Sequence, residues 1–134
     1  MSVMQTVKAY DLEFGIFKQY DRYILGTPHK YANMGIPEAR EINRVIGQQY
    51  TKPYGYIGNR VNIHSVDPTL YLYANKENPL LISVAIVVYS EASRKIAELE
   101  KQAADASGMK FGIFDDLDSA IEWTESKLDK VEAK

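Results

Sequence analysis

The most apolar stretch of the chain is LLISVAIVVY at residues 80–89, which holds one serine and no charged residue. A strand with one face in water alternates apolar and polar residues, whereas a strand covered on both faces is apolar throughout. Pro79 stands just before the stretch, and five of its ten residues are β-branched, which favours a strand over a buried helix. We therefore predict a fully buried strand at the centre of a sheet.

Two stretches near the N-terminus predict a hairpin. Apolar and polar residues alternate from Tyr10 to Gln19, which is typical of a strand with one covered face, and we expect this strand at an edge. Polar residues 20–22 interrupt the pattern before residues 23–26, so the two strands are close enough to pair antiparallel. In this arrangement Phe17 faces outward. The inward residues are Leu12, Phe14 and Ile16.

Apolar residues at helical spacing, preceded by capping residues, predict four helices. The first covers residues 37–47, and a short second covers residues 68–74. The third ends at residues 107–108, and the fourth closes the chain. Caps are predicted at Asp67, at Ser90 and at Asp115 or Asp116. The expected buried stripe of the third helix consists of Ala92, Ile96, Leu99 and Ala103.

The order of these elements predicts the fold class. Short apolar strands at residues 54–57 and 109–114 alternate with the helices. Such alternation favours parallel strands joined by right-handed crossovers, with the first strand antiparallel at an edge. We therefore predict a single α/β domain over residues 1–134, with a mixed sheet of about five strands and four helices.

Composition and charge exclude several classes of protein. The formal charge of −2 lacks the positive field that dominates affinity for nucleic acids, so no nucleic-acid partner is expected. The chain has no cysteine, which excludes disulfides and thiolate metal sites and fits a reducing compartment, so we expect a cytoplasmic protein. Residues 80–89 are too few to cross a bilayer, so no membrane segment is expected.

Candidate catalytic and metal-binding residues are few. The sequence lacks the patterns of a P-loop, a dinucleotide-binding turn and a nucleophile elbow. His29 and His64 lie on different connections without metal-ligand spacing, and no acid is predicted to orient an imidazole beside Ser65. The acidic residues 115–118 open a helix, where capping accounts for them. We expect no cofactor, no metal and no enzyme activity; an enzyme using His64 or Asp67 is the weaker alternative.

The candidate site lies where the parallel strands end. In open α/β sheets, ligands bind beyond the carboxyl ends of the strands. In this chain those ends are followed by polar connections, which residues 29–35 are expected to join. The candidate residues for ligand or partner binding are Asn59, Arg60, His64, Ser65, Asp67, Tyr89 and Ser90.

Three stretches of the chain resemble the SpoIIAA-like branch of the STAS superfamily, the anti-sigma-factor-antagonist fold. They are PYGYIGNRVNIHSVDPTLY at residues 53–71, VAIVVYSEASRKIAELEK at residues 84–101 and FGIFDDLDSAIEW at residues 111–123. The last stretch resembles that branch's ending, F-x-(D/N)-L-x-x-A-x-x-W. The matching residues are Phe114, Asp116, Leu117, Ala120 and Trp123.

The resemblance implies a STAS-like fold and a non-enzymatic module that binds a protein partner. STAS proteins that work by phosphorylation carry a D-S-S-G-type turn with the acceptor serine at the start of the second helix. Residues 64–68 take that place here as HSVDP, and a phosphate on Ser65 would stand near the Asp67 carboxylate. We therefore expect that the phospho-serine switch has been lost.

Two alternatives for partners stay open. Sec14-like relatives imply a carrier or sensor of an apolar small molecule or lipid, with a cavity between the sheet and the short second helix. Its expected lining includes Tyr31, Tyr54, Tyr56 and Tyr71. Aromatic residues on the edge strand also predict a weak homodimer through its edge or face. Those residues are Tyr10, Phe17 and Tyr20.

Overall fold

A computed structural model of the protein describes residues 6–132. The strands are β1 (Thr6–Leu12), β2 (Gly15–Tyr20), β3 (Tyr23–Pro28), β4 (Asn33–Met34), β5 (Tyr54–Asn59), β6 (Ser65–Val66), β7 (Leu81–Val87) and β8 (Lys110–Phe114). The helices are α1 (Ile36–Val45), α2 (Tyr71–Glu77), α3 (Glu91–Ala106) and α4 (Leu117–Glu132), with 3₁₀ segments at Gly47–Gln49 and Pro68–Leu70. No helix in this part of the chain has the length and apolar character that spanning a bilayer requires.

The main sheet confirms the predicted fold class. Its strand order is β1-β2-β3-β5-β7-β8, so it has six strands rather than about five. Strands β1, β2 and β3 pair antiparallel, and β3, β5, β7 and β8 pair parallel. A second sheet pairs the short strands β4 and β6 in parallel. The sixth strand arises because the predicted first strand is divided in two.

The prediction of one strand from Tyr10 to Gln19 is wrong. A tight turn at residues 13–14 reverses the chain, and Leu12 pairs with Gly15 across the resulting hairpin. Paired residues on neighbouring antiparallel strands share a face, and Phe17 pairs with Tyr10. Because Tyr10 and Leu12 are two residues apart on β1, Phe17 lies on the same face as Leu12. Phe17 is therefore 0% exposed rather than outward, and it is not available for contact with a second copy.

Both faces of β7 are covered, as its apolar sequence predicted. Val84 and Ile86 belong to the core beneath α2 and α3, whereas Ala85 and Val87 pack with residues of α4 on the opposite face. Right-handed crossovers place α1, α2 and α3 on one face, which leaves the other face to α4. The strand lies next to the edge strand β8 rather than at the centre of the sheet.

The predicted buried stripe of α3 is wrong by about one residue. Ile96 and Leu99 are 38% and 57% exposed, whereas Ala97, Glu100 and Ala104 are buried. One residue corresponds to a rotation of about 100° in an α-helix. The physical reason is Glu100, whose carboxylate is bound inside the protein by Arg60 and Tyr71. The side facing inward is therefore the one that carries Glu100.

Candidate functional site

Two connections come together at the carboxyl ends of β3 and β5. Residues 29–35 and 60–67 pair through β4 and β6, where Asn33 faces Ser65 and Met34 faces Val66. The Tyr31 amide donates to the Ile63 carbonyl at 2.6 Å, and the Ser65 amide donates to the Ala32 carbonyl at 2.9 Å. The structure therefore places residues 29–35 beside the connection that carries His64, Ser65 and Asp67.

The candidate residues divide into three separate groups. Tyr89 donates from its hydroxyl to Asn59 Oδ1 at 2.6 Å, next to Ser90, whose hydroxyl accepts from the Ser93 amide at 3.1 Å and caps α3. Tyr89 and Ser90 are exposed beyond β7, and the half-buried Asn59 is the last residue of β5. Ser65 and Asp67 lie on the connection into α2, and Arg60 and His64 line an interior cavity.

Asp67 caps the turn that leads into α2, as predicted. Its Oδ1 accepts hydrogen bonds from the Thr69 hydroxyl at 2.8 Å and from the Thr69 amide at 3.0 Å. These hydrogen bonds hold the pKa of the Asp67 carboxyl below its usual value, because they favour the charged form. The Asp67 carboxylate thus stabilises the start of the Pro68–Leu70 segment.

Ser65 lies on strand β6 rather than at a helix start. Its hydroxyl is exposed and forms a hydrogen bond with the Asn33 side chain on β4. Asp67, two residues later, accepts from the first free amide of the helical segment. Loss of a phospho-serine switch stays a prediction, and this geometry is compatible with it.

Arg60, which lines the cavity, forms a buried ion pair with Glu100. Arg60 follows β5, and its two terminal nitrogens contact both carboxylate oxygens of Glu100 on α3. The side chains are 7% and 0% exposed, and the Tyr71 hydroxyl donates to Glu100 Oε1 at 2.6 Å. Burial lowers the pKa of Arg60, but the hydrogen bond and the charge of Glu100 outweigh it and raise that pKa overall. Arg60 therefore keeps its positive charge inside the protein, beside the Glu100 carboxylate.

His64 lines the cavity beside this pair. Its Nδ1 lies 2.9 Å from the Asn62 carbonyl oxygen, which can only accept, so Nδ1 carries the hydrogen. Burial and the positive charge of Arg60 lower the pKa of His64 below 6.5, although the Asn62 carbonyl acts in the opposite direction. The ring is therefore neutral near pH 7, and Nε2 is left as a hydrogen-bond acceptor.

The cavity has a volume of about 100 Å³ and lies between the sheet and helices α1 and α2. A cavity at this place was predicted, and Tyr54, Tyr56 and Tyr71 line it as expected. Tyr31 does not, because it lies at the tip of its connection and is 71% exposed. The apolar lining includes Ile24, Ile36, Ile42, Leu70, Val84 and Ile86.

Hydrogen bonds connect α1 to the C-terminal end of α2 at the outer end of the cavity. Arg40 on α1 donates from Nε to the Glu77 carboxylate on α2 at 3.0 Å. Deeper, Nδ2 of the Asn78 side chain donates to Asn43 Oδ1 at 2.8 Å and to the Tyr54 hydroxyl at 3.0 Å. The two helices are thus joined across the cavity by hydrogen bonds rather than by direct apolar packing alone.

Glu100 is the functional candidate that sequence reasoning missed. A glutamate on a surface helix is normally assigned to solvent, because burying an unpaired carboxylate is strongly unfavourable. The available signal was its spacing, since Ala97, Glu100 and Ala104 recur at i, i+3 and i+7 on one helix face. Among residues 6–132, no three histidine, aspartate or glutamate side chains come together as metal ligands would.

Comparison with models of protein families finds no match, and no curated protein sequence is significantly similar. A solved structure from Shewanella loihica PV-4 is similar: an uncharacterised protein from the DUF3478 family with a SpoIIAA-like fold. The alignment covers 92% of this chain and 98% of that chain, with a TM-score of 0.54 and 12% sequence identity. Similarity at this level of identity concerns the fold. Together with the strand order and the four helices, it shows that this chain has a SpoIIAA-like fold, as the sequence resemblance implied.

Proposed function

We propose that this chain is a non-enzymatic binding module that holds an apolar small molecule in the cavity between the sheet and helices α1 and α2. The cavity itself carries the proposal: it has a volume of about 100 Å³ and an apolar lining with a few polar side chains. Its lining includes the exposed residues Arg40 and Tyr73, so the cavity is open to solvent at one end and a small molecule can enter it. Apolar pockets with a few converging polar groups are the usual form of a ligand site.

The hydrogen bonds of the candidate nucleophile and base support a non-enzymatic role. Nucleophilic catalysis requires the hydroxyl and the base to lie within hydrogen-bond reach of each other. Here the Ser65 hydroxyl pairs with Asn33, and Nδ1 of His64 pairs with the Asn62 carbonyl. Asp67 accepts from Thr69 and serves as a cap. Each of these side chains therefore has a structural partner.

A matched pair of substitutions tests this function. Ala74 lines the cavity, whereas Ala92 is exposed on α3, so Ala74→Leu fills the cavity and Ala92→Leu does not. We expect toluene to bind saturably in an NMR titration to the unsubstituted protein and to Ala92→Leu, and at least tenfold more weakly to Ala74→Leu. Equal binding to all three proteins would contradict the proposal. Native mass spectrometry of the purified protein provides an independent measurement, in which a retained apolar compound is the expected result.

A protein partner is the second candidate function, and an exposed apolar patch at the loop tips favours it. The patch consists of Tyr31, Val61 and Ile63, which are exposed on the two connections that pair beyond β3 and β5. Tyr31 also has a φ of 67°, a conformation that is uncommon outside glycine and that occurs at functional sites. Ile63→Ser should weaken a partner interaction with little effect on stability. Partner recovery that is unchanged by Ile63→Ser would place the interface elsewhere.

A further inference from the structure

We infer that the ligand of this cavity is a small neutral molecule consisting of one apolar ring with a single uncharged hydroxyl group, the class whose simplest member is phenol. The inference rests on the proposed function and names the kind of molecule that the same cavity takes. Three features of the cavity carry it: its volume, the neutralised charge at its inner end, and the hydrogen-bonding groups that remain there.

The volume restricts the size of the ligand. An apolar protein cavity of roughly 150 Å³ binds benzene. The cavity described here has about 100 Å³, which is smaller than that volume, so it can hold at most one ring and excludes a fused ring system or a long acyl chain. The surrounding side chains are mainly aliphatic and aromatic, which matches the flat apolar surface of such a ring.

The charges at the inner end exclude an ionised ligand. The Arg60 guanidinium is already paired through two nitrogens with the Glu100 carboxylate, and both side chains are buried. Arg60 lines the cavity and Glu100 lies behind it, so a ligand ammonium would face the Arg60 cation directly, and a ligand carboxylate would meet a guanidinium whose charge Glu100 already balances. Either charge would also lose its hydration without gaining a free counterion, which is strongly unfavourable.

The remaining polar groups match one hydroxyl. His64 donates from Nδ1 to the Asn62 carbonyl, so Nε2 can accept a hydrogen bond from a ligand hydroxyl. Tyr56 lines the same cavity, its hydroxyl lies against Gly26 on β3, and no hydrogen bond joins that hydroxyl to another side chain in the described part of the chain. The ligand oxygen can therefore donate to His64 and accept from Tyr56, as a single hydroxyl does.

Three probes of similar shape test the inference: phenol, toluene and benzoate. We expect phenol to bind the unsubstituted protein about fivefold more tightly than toluene, which corresponds to one hydrogen bond, and benzoate to bind more weakly than both. Tyr56→Phe keeps the ring and removes its hydroxyl, so it should reduce the preference for phenol over toluene. His64→Leu should do the same. His29→Leu changes an exposed histidine outside the cavity and should leave the preference unchanged.

The outcomes separate this inference from the proposed function. Toluene binding as tightly as phenol, or benzoate binding more tightly than phenol, would overturn the neutral hydroxyl class but leave an apolar site. Nile red has a fused ring system. If it bound in the cavity and the three monocyclic probes did not, the inferred ligand size of one ring would be wrong, but the cavity would still be a binding site. Failure of all four probes, and of xenon gas, to bind would overturn both the inference and the proposed function.

Discussion

Arg60 and Glu100, forty residues apart in sequence, form a two-point ion pair in the interior that ties the end of β5 to the middle of α3. Because the Tyr71 hydroxyl also donates to Glu100, the same carboxylate connects α2 to the pair. One buried side chain on α3 thereby holds two cavity-lining residues, Arg60 and Tyr71. Glu100 accordingly lies on the inward side of α3 and balances the charge that Arg60 brings to the cavity wall.

Removing Glu100 should strongly destabilise the protein. Glu100→Leu leaves the Arg60 guanidinium buried without a counterion, and loss of one partner from a buried pair costs about 3–5 kcal/mol of unfolding free energy. Glu98 is exposed on the same helix, so Glu98→Leu should change stability by only about 0.5 kcal/mol. Urea unfolding of the two variants measures the difference. A loss below about 1 kcal/mol for Glu100→Leu would contradict the buried pair.

Replacing both charges should restore much of that loss. A buried ion pair exchanged for apolar residues of similar volume is often neutral or stabilising, because neither ion must then be dehydrated. We therefore expect Arg60→Met combined with Glu100→Leu to be more stable than Glu100→Leu alone. The double-mutant cycle isolates the coupling between the two side chains. Additive losses in the two single variants would show that the side chains do not interact.

Stability should decrease as the pH falls below about 6.5 because of His64. Burial lowers the pKa of His64 in the folded protein, so the unfolded chain binds the proton more tightly than the folded protein does. The free energy of unfolding therefore falls as the pH decreases from the unfolded pKa toward the folded pKa. Urea unfolding at pH 7.5 and pH 5.5 should show a smaller decrease for His64→Gln than for the unsubstituted protein. Equal decreases would assign the effect to other groups.

Ser83 should be replaceable by alanine without loss of stability. Its hydroxyl is 0% exposed on β7 and has no hydrogen-bond partner among the described residues. Ser83→Ala removes a buried polar group whose hydration is lost on folding, so stability should rise by roughly 0.5–1.5 kcal/mol. Ser107 is the contrasting case, since its hydroxyl donates to the Ala104 carbonyl at 2.8 Å. Thermal unfolding should show a higher midpoint for Ser83→Ala and a lower one for Ser107→Ala.

Asp67→Ala should loosen the entrance to α2 while the domain stays folded. The substitution removes the acceptor for the Thr69 amide and hydroxyl. Leu70 and Tyr71, the next residues of that segment, line the cavity, so ligand binding should fall more than the unfolding midpoint. Hydrogen exchange at residues 69–71 measures the loosening directly. Ser65→Ala is the matched control on the same connection, and it should leave exchange at those residues unchanged.

Local chemistry made much of the fold predictable from the sequence. The caps at Asp67 and Ser90 depend on residues within a turn of each other, and both are confirmed, as is Asp116, which accepts from the Ser119 amide at 2.7 Å. The buried strand β7 was equally clear, because an uninterrupted apolar run that follows a proline is typical of a strand covered on both faces. These features require no knowledge of which segments meet in space.

Features that depend on distant contacts could not be predicted in the same way. The side on which Phe17 lies is determined by the two-residue turn before β2, which alternation alone does not reveal. The orientation of α3 depends on Arg60, which is 40 positions away from Glu100. Tyr31 was assigned to the cavity because it is aromatic, but its pairing with Ile63 holds it at an exposed tip. The aromatic character of a residue predicts a preference for burial, whereas the segment with which the residue pairs determines where its side chain lies.

Methyl NMR of isoleucine-labelled protein during a phenol titration tests the binding of a small molecule in the cavity most directly. The isoleucines form an internal control, because Ile36, Ile42 and Ile86 line the cavity, whereas Ile63 and Ile96 are 73% and 38% exposed. We expect saturable shifts of the first three methyl signals and no comparable shifts of the last two. Shifts confined to Ile63 and Ile96 would contradict a ligand site between the sheet and helices α1 and α2, and so would the absence of a saturable shift at every isoleucine with phenol and with Nile red.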